Sequence, residues 1–161
     1  MGYKSIKNEP LTMINLKNYT STIPADQSIL NIERLLVQAG ASHIMKEYQP
    51  FDGIVDAISF KLKVGTESLS YRLPANVEAI VKLFIKNKRS SNPTEAQKKT
   101  LKAQAIRTAW KNIHEWVHLQ LTMVELQQVE VTQIFLPYML ISPTQTVFDK
   151  FKESNFKALS Q

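Results

Sequence analysis

The first strong pattern of apolar and polar residues follows Pro24 and has the spacing of an α-helix. Asp26 or Ser28 can cap its first turn, and Gly40 can adopt the left-handed conformation in which many helices end. The segment therefore predicts an amphipathic helix over residues 24–40. Its apolar positions are Ile29, Ile32, Leu35, Leu36 and Ala39.

Three strands are predicted after this helix, and in the second of them Ile54, Ile58, Phe60, Leu62 and Val64 share one face. The segments are SHIMKEY, IVDAISFKLKV and SLSYRLP, which begin at residues 42, 54 and 68. Gly65 and Thr66 predict a hairpin turn between the second and third strands. A further strand is predicted over residues 13–22, MINLKNYTST, where the alternation is imperfect.

The rest of the chain is predicted to be mainly helical. ANVEAIVKLFIKNK, from residue 75, has an apolar face at helical spacing, and a polar loop with Pro93 follows it. A long helix then runs from about Glu95 to Leu126 or beyond, which is roughly 45 Å at 1.5 Å per residue. Pro137 interrupts the apolar segment VTQIFLPYML, and a short helix is predicted in TVFDKFKESNFKALS.

Together these elements predict the α+β class: a small antiparallel sheet of three to four strands packed by helices, with a long central helix and a helical C-terminal half. Residues 1–12 are expected to form a flexible N-terminal lead and residues 13–161 a single α+β domain. A chain of 161 residues is long enough to bury a core without disulfides or metal.

The amino-acid composition excludes several classes of functional site. The chain has no cysteine, which excludes disulfides, thiolate zinc ligands and cysteine nucleophiles and fits a reducing cytoplasm. No apolar run approaches the roughly 18 residues that a membrane helix needs, so no membrane partner is expected. The four glycines form no phosphate-binding loop, and no serine-centred nucleophile motif is present. We expect no cofactor.

Positive charge is concentrated in one part of the chain. The net charge is +6, but residues 86–111 contain eight basic residues and one acid, Glu95, whereas the remainder has twelve basic and thirteen acidic residues. Such a concentration is the electrostatic pattern expected of a phosphate-binding surface. The alternative is a solvated face that keeps the helix start soluble. The eight basic residues are Lys86, Lys88, Arg89, Lys98, Lys99, Lys102, Arg107 and Lys111.

No recognised base-reading motif accompanies the basic segment. We find no helix-turn-helix, zinc finger or aromatic RNA-recognition signature. Binding is therefore expected to be led by the phosphate backbone, with about five to seven phosphates neutralised, and to weaken steeply with salt. DNA is the favoured partner.

HEWVH, residues 114–118, matches the H-E-x-x-H signature of zinc hydrolases. His114 and His118 lie four residues apart and project from the same side of a helix, with Glu115 between them as a candidate general base. The metzincin continuation would need Gly and His where the chain has Leu121 and Val124, so that subclass is excluded.

A catalytic zinc site needs a third protein ligand. The candidates are His43, Glu130, Asp149 and Glu153, and none lies in a recognisable motif. In the alternative interpretation, the two histidines border the apolar stripe of the long helix and have no metal role. That stripe consists of Ile106, Ala109, Trp110, Ile113, Val117, Gln120 and Val124.

The tail string FLPYML is apolar and aromatic within six residues. Packing into the core is one interpretation, and a docking surface for a partner or a second copy is the other.

Several segments in order resemble a family of small uncharacterised proteins carried by bacteriophages and related mobile elements. The resemblance covers about residues 14–140 and is strongest at Leu73–Asn76, at Trp110 and Trp116 with Gln120, and at Phe135–Tyr138. The family has acidic residues where this chain has His114 and His118, which argues against zinc. The resemblance implies a phage protein made in the bacterial cytoplasm and brings no activity with it.

The sequence therefore predicts a non-enzymatic phage accessory protein that binds nucleic acid through the eight basic residues and assists phage DNA metabolism. One alternative is a host-interaction or anti-defence protein that binds a host or phage protein or a nucleotide ligand. A lesser alternative is a zinc hydrolase that uses His114, Glu115 and His118.

Overall fold

The computed structural model describes residues 16–87 and 92–159, and it belongs to the predicted α+β class. The strands are β1 (Ala41–Tyr48), β2 (Val55–Val64), β3 (Glu67–Pro74), β4 (Leu140–Ser142) and β5 (Gln145–Thr146). The helices are α1 (Ala25–Gln38), α2 (Val77–Lys86), α3 (Glu95–Glu125), α4 (Val131–Phe135) and α5 (Val147–Glu153). Short 3₁₀ helices follow at Leu136–Tyr138 and Lys157–Leu159.

β1, β2 and β3 form an antiparallel sheet in that order, with β2 in the centre. Phe60 in β2 lies opposite Ile44 of β1 and Tyr71 of β3. Because side chains alternate between the two faces of a strand, this register places Ile58 and Leu62 of β2 and Leu69 and Leu73 of β3 on the same face as Phe60. Gly65 has a φ of +61° in the two-residue turn between β2 and β3, as the sequence predicts.

The hydrophobic core lies between this face of the sheet and two helices. α1 contributes Ile29, Ile32 and Leu36, and α3 contributes Ala105, Ala109, Trp110 and Val117, all of them buried. Phe135 from α4 completes an aromatic cluster, with its ring centroid 5.2 Å from that of Phe60 and 5.7 Å from that of Tyr71. The core interpretation of FLPYML is thus confirmed for Phe135, and Tyr138 and Met139 also pack against the core.

α3 runs along the whole sheet and extends beyond one end of it. Its C-terminal part borders the same cavity as Val64 at the β2–β3 turn, while the Lys102 Nζ lies 3.5 Å from the Asp52 Oδ2 in the β1–β2 turn. The 31 residues of α3 span about 46 Å, whereas the ten residues of β2 span about 33 Å. The first turns of α3 therefore project past the β1–β2 end of the sheet.

α2 packs against α3, and its residues Ile80, Val81 and Phe84 also pack against the core. The chain enters α2 at the same end of the sheet, where the Ala75 N–H donates to the Asp56 carbonyl at 2.8 Å. Val77 is the one fully buried residue of α2, and none of residues 95–104 is buried, whereas Ala105 is. We call α2 and residues 95–104 the helical arm.

Two local predictions are wrong. Lys17–Thr20 form a turn instead of part of a strand over 13–22, because Asn18 has a φ of +61° and α3 side chains bind the backbone there; residues 13–15 lie outside the described part. Neither Asp26 nor Ser28 occupies the cap position of α1, which Pro24 holds; the Asp26 Oδ1 accepts from the Gln27 N–H at 3.0 Å within the first turn, and Ser28 is buried. Gly40 does end α1 in the left-handed region, with a φ of +94°.

The C-terminal region contains a feature that the sequence did not predict. β4 and β5 pair as a short antiparallel ladder between α4 and α5, so this part of the chain is not entirely helical. A bridge between Tyr71 and Met139 joins it to β3. Within the described ranges, no helix has both the length and the apolar character needed to cross a membrane.

Candidate nucleic-acid interface

The end of the helical arm carries exposed lysines from both of its helices. Lys86 lies at the C-terminus of α2, and Lys98 and Lys99 lie in the first turns of α3. α2 and α3 pack against each other, and the end of α2 and the start of α3 are separated in sequence by the residues between Asn87 and Thr94. Lys88 and Arg89, also predicted to bind nucleic acid, lie outside the described residues.

A well-formed cap fixes where α3 begins. The Gln97 backbone N–H donates to the Thr94 Oγ1 at 3.3 Å, and the Thr94 N–H donates to the Gln97 Oε1 at 3.0 Å. This reciprocal capping box satisfies two N–H groups that the helix itself leaves unpaired. The cap therefore fixes the positions on α3 from which the side chains of Lys98 and Lys99 project.

Most of the positive charge of the arm is uncompensated. The Lys98 Nζ lies 2.7 Å from the Glu95 Oε1, but 49% and 89% of the two side chains are exposed, and such surface pairs are weak. Lys86 and Lys99 form no ion pair among the described residues, and Lys102 pairs with Asp52 at the base of the arm. We refer to Lys86, Lys98, Lys99 and Lys102 as the arm lysines.

Arg107 and Lys111 do not lie with the arm lysines. At 100° per residue, they project from nearly the opposite side of α3 to Lys98 and Lys102. The Arg107 Nε donates to the Ser21 carbonyl at 3.2 Å, and the Lys111 Nζ lies 3.5 Å from the Glu115 Oε1. The structure thus divides the predicted basic residues between two surfaces.

The second surface is covered by residues 16–23, which we call the N-terminal strap. The Thr108 Oγ1 donates to the Asn18 carbonyl at 3.0 Å, and the Asn112 Nδ2 donates to the Lys17 carbonyl at 3.1 Å. The Gln104 Nε2 donates to the Ser21 carbonyl at 3.1 Å. Gln104, Thr108 and Asn112 are four residues apart, a polar stripe that sequence analysis missed although its spacing is visible in the sequence.

Glu115 of the HEWVH string belongs to the strap contact. Its Oε2 lies 3.0 Å from the Lys17 Nζ and accepts from the Asn18 Nδ2 at 3.2 Å. The hydrogen bond from Lys17 holds the pKa of the Glu115 carboxyl below its usual range, and Asn18 and Lys111 act in the same direction. Glu115 is therefore an ionised anchor for the strap, and because Lys17 and Asn18 occupy its carboxylate and lower its pKa, it is a weaker proton acceptor than a free glutamate.

His114 and His118 project from the same side of α3, but no third ligand among the described residues converges with them. Their rings are nearly parallel, with centroids 6.3 Å apart. His43 lies exposed on β1, where its Nδ1 is 2.9 Å from the Ser42 Oγ. In residues 16–87 and 92–159, no three histidine, aspartate or glutamate side chains are placed to hold a metal ion together.

The remaining carboxylates proposed as zinc ligands have local structural contacts. Glu130 forms a capping box with Gln133 at the start of α4. Asp149 accepts from the Thr146 N–H at 3.0 Å at the start of α5, and Glu153 accepts from the Gln145 Nε2 at 2.8 Å. These contacts give each carboxylate a role in the folded chain that needs no metal.

The structure therefore defines an α+β protein with a helical arm at one end of its sheet. No protein-family model, curated protein or solved structure matches the chain. The geometry and charge of the arm are therefore the features of the molecule that bear on its function.

Proposed function

We propose that the protein is a non-enzymatic accessory protein that binds nucleic acid through the arm lysines. The observation that carries the proposal is the projecting arm, whose end bears Lys86, Lys98 and Lys99 with Glu95 as the one acidic residue between positions 86 and 111. A narrow projecting element with uncompensated positive charge can reach the phosphates of a nucleic acid while the rest of the protein surface stays out of contact with it. DNA remains the favoured form of nucleic acid.

Release of counterions would provide most of the binding free energy. The sequence between Lys86 and Lys102 contains six basic residues. If all six neutralise phosphates, the logarithm of the binding constant should fall with the logarithm of salt concentration with a slope of about −4 for a single strand and about −5 for a duplex. Arg107 and Lys111 are left out of this contact set, because they project from the opposite side of α3, on the surface where the strap lies.

Replacement of the four arm lysines by glutamine tests the proposal. We expect at least about a tenfold loss of affinity for single- and double-stranded DNA at low salt. On a single strand the salt slope should also become about 3 units shallower, because each lost phosphate contact removes about 0.7 units. Fluorescence anisotropy with labelled oligonucleotides measures both quantities.

The chain offers a control of equal charge. Lys61 and Lys63 lie on the outward face of β2, and Lys150 and Lys152 lie on α5. Replacement of these four by glutamine lowers the net charge from +6 to +2, as the arm variant does. The control should keep nearly all of the affinity. An equal loss in both variants would mean that net charge, and not the arm, determines binding.

The resemblance to phage and mobile-element proteins supplies the biological setting of the proposal. A small basic protein of this kind would act in phage DNA metabolism within the bacterial cytoplasm. Capture of partners from bacterial lysate treated with nuclease tests the host-interaction alternative, because a protein partner should survive the nuclease and a nucleic-acid partner should not.

A further inference from the structure

Phe51, at the tip of the β1–β2 turn, is exposed to an unusual degree. Its relative exposure is 108%, the highest of the large apolar residues in the described part of the chain. Its φ is +71°, a left-handed conformation that glycine and asparagine adopt readily and a bulky aromatic residue rarely adopts. The residue therefore adds strain to the turn without contributing packing.

The turn that carries Phe51 is held in a defined position. The Gln49 N–H donates to the Ile54 carbonyl at 2.8 Å, which closes the turn. The Ile54 N–H donates to the Asp52 Oδ1 at 3.1 Å, and the Asp52 Oδ2 lies 3.5 Å from the Lys102 Nζ. These contacts attach the turn to the base of the helical arm, so the backbone of Phe51 has a fixed position beside α3.

Phe51 therefore lies one residue from Asp52, whose carboxylate contacts Lys102 of the arm. Lys98 and Lys102 lie one helical turn apart on the same side of α3, about 6 Å along its axis. Proteins that bind single-stranded nucleic acid commonly have an aromatic ring that stacks on a base beside basic side chains that contact the adjacent phosphates. Strain retained at an exposed residue is also typical of a binding position.

We propose that Phe51 is a base-stacking residue: its ring stacks on the face of a nucleobase while Lys98 and Lys102 contact the neighbouring phosphates. This inference rests on the proposed function and adds a mode of contact to it. The base face can come from a single strand or from a duplex step that the ring opens as a wedge. A single unpaired base involves no unstacking of a duplex, so a single strand should bind more tightly.

Phe51→Asn tests the role of the ring without harm to the turn. Asparagine tolerates a positive φ, so the variant should unfold at the same temperature as the wild type or higher. Its affinity for an oligothymidylate should fall about 5- to 100-fold, the range found for loss of one stacking contact. Phe51→Trp should retain binding. Phe148→Ala, which removes a half-exposed ring on α5, is the matched control and should bind as the wild type does.

An abasic strand of equal length separates stacking from charge. It presents the same phosphates without bases, so the Phe51→Asn variant and the wild type should bind it equally. If Phe51→Asn loses as much affinity for the abasic strand as for the ordinary strand, base stacking is wrong. If Phe51→Asn loses affinity for both the single strand and the duplex, and more for the single strand, the result supports stacking on an unpaired base. If it loses affinity for the duplex alone, the result supports the wedge form of the same contact.

Failure of the inference is distinguishable from failure of the proposed function. If the arm-lysine variant loses affinity and Phe51→Asn does not, the function stands and the inference is wrong. If the wild type binds no oligonucleotide, both are wrong. The wild type could instead bind phosphatidylserine vesicles, lose this binding in Phe51→Asn, and bind no oligonucleotide. That result would assign Phe51 to a lipid surface and overturn the proposal.

Discussion

His114 is a histidine of α3 whose ring is partly buried. Its Nδ1 is buried and forms no hydrogen bond within the described residues. Burial lowers the pKa of the imidazole, Lys111 and His118 lower it further, and Glu115 acts in the opposite direction. The folded protein therefore favours the neutral ring, which also makes His114 a poor cation for phosphate binding at neutral pH.

We expect the free energy of unfolding to fall as the pH drops below 6.5, the ordinary pKa of the group. Below this pH the imidazole is protonated in the unfolded chain, whereas in the folded chain it is protonated only at a lower pH. The contribution of His114 to stability is therefore complete above pH 6.5 and decreases as the pH falls. His114→Leu should remove part of the loss, and His43→Leu, at an exposed site, should not. Urea unfolding at neutral and mildly acidic pH measures this, and an unchanged loss in His114→Leu would contradict it.

At the scale of elements, the N-terminal strap is held by side chains of α3 instead of by strand pairing. The Asn18 Nδ2 donates to the Asn112 Oδ1 at 2.7 Å, and the positive φ of Asn18 turns the backbone so that its carbonyl meets Thr108. Asparagine suits this position because it tolerates the left-handed conformation and also supplies the side-chain donor.

Asn18→Ala should destabilise the protein more than Asn18→Gly does. Both variants lose the side-chain hydrogen bonds, but alanine must also adopt a positive φ, which costs roughly 1–2 kcal/mol. Denaturant unfolding of the two variants gives the difference directly. Equal stabilities would show that the strap backbone relaxes and is not held at Asn18.

The elements with clear periodicity could be predicted from sequence, and the strap could not. α1, β2 and α3 have apolar residues at the spacing of their own secondary structure, so a local window of sequence contains the signal. The strap has no such period, and its partners are distant: Asn18 and Asn112 are 94 residues apart. Tertiary hydrogen bonds of this separation leave no local pattern.

At the scale of the whole molecule, Phe135 joins the C-terminal region to the sheet. The residue is fully buried, and its ring lies 5.2 Å from that of Phe60 and 5.9 Å from that of Trp116, measured between centroids. The C-terminal region therefore shares the core that the sheet and α3 form.

Phe135→Ala should lower the free energy of unfolding by about 3–5 kcal/mol, because it removes a buried aromatic ring and leaves a cavity. Leu136→Ala is the matched control; its side chain is 48% exposed, so the loss should be about 1 kcal/mol or less. Urea unfolding compares the two. Similar small losses would mean that the C-terminal region contributes little to the core.

Only part of the candidate site could be predicted from the chain. The concentration of positive charge is a property of composition and is visible in the sequence. The separation of Arg107 and Lys111 from the arm lysines depends on the strap, and the position of Phe51 depends on a contact between Asp52 and Lys102, which are distant in sequence. Charge alone cannot specify which cations share a surface.

The salt dependence of oligonucleotide binding tests the central claim most directly. For the wild type on a single strand, we predict a slope of about −4 in the logarithm of the binding constant against the logarithm of salt concentration, and for the arm-lysine variant a slope about 3 units shallower. The variant at Lys61, Lys63, Lys150 and Lys152 should retain the wild-type slope. A wild-type slope near zero, or the same slope in the wild type and the arm-lysine variant, would contradict the account.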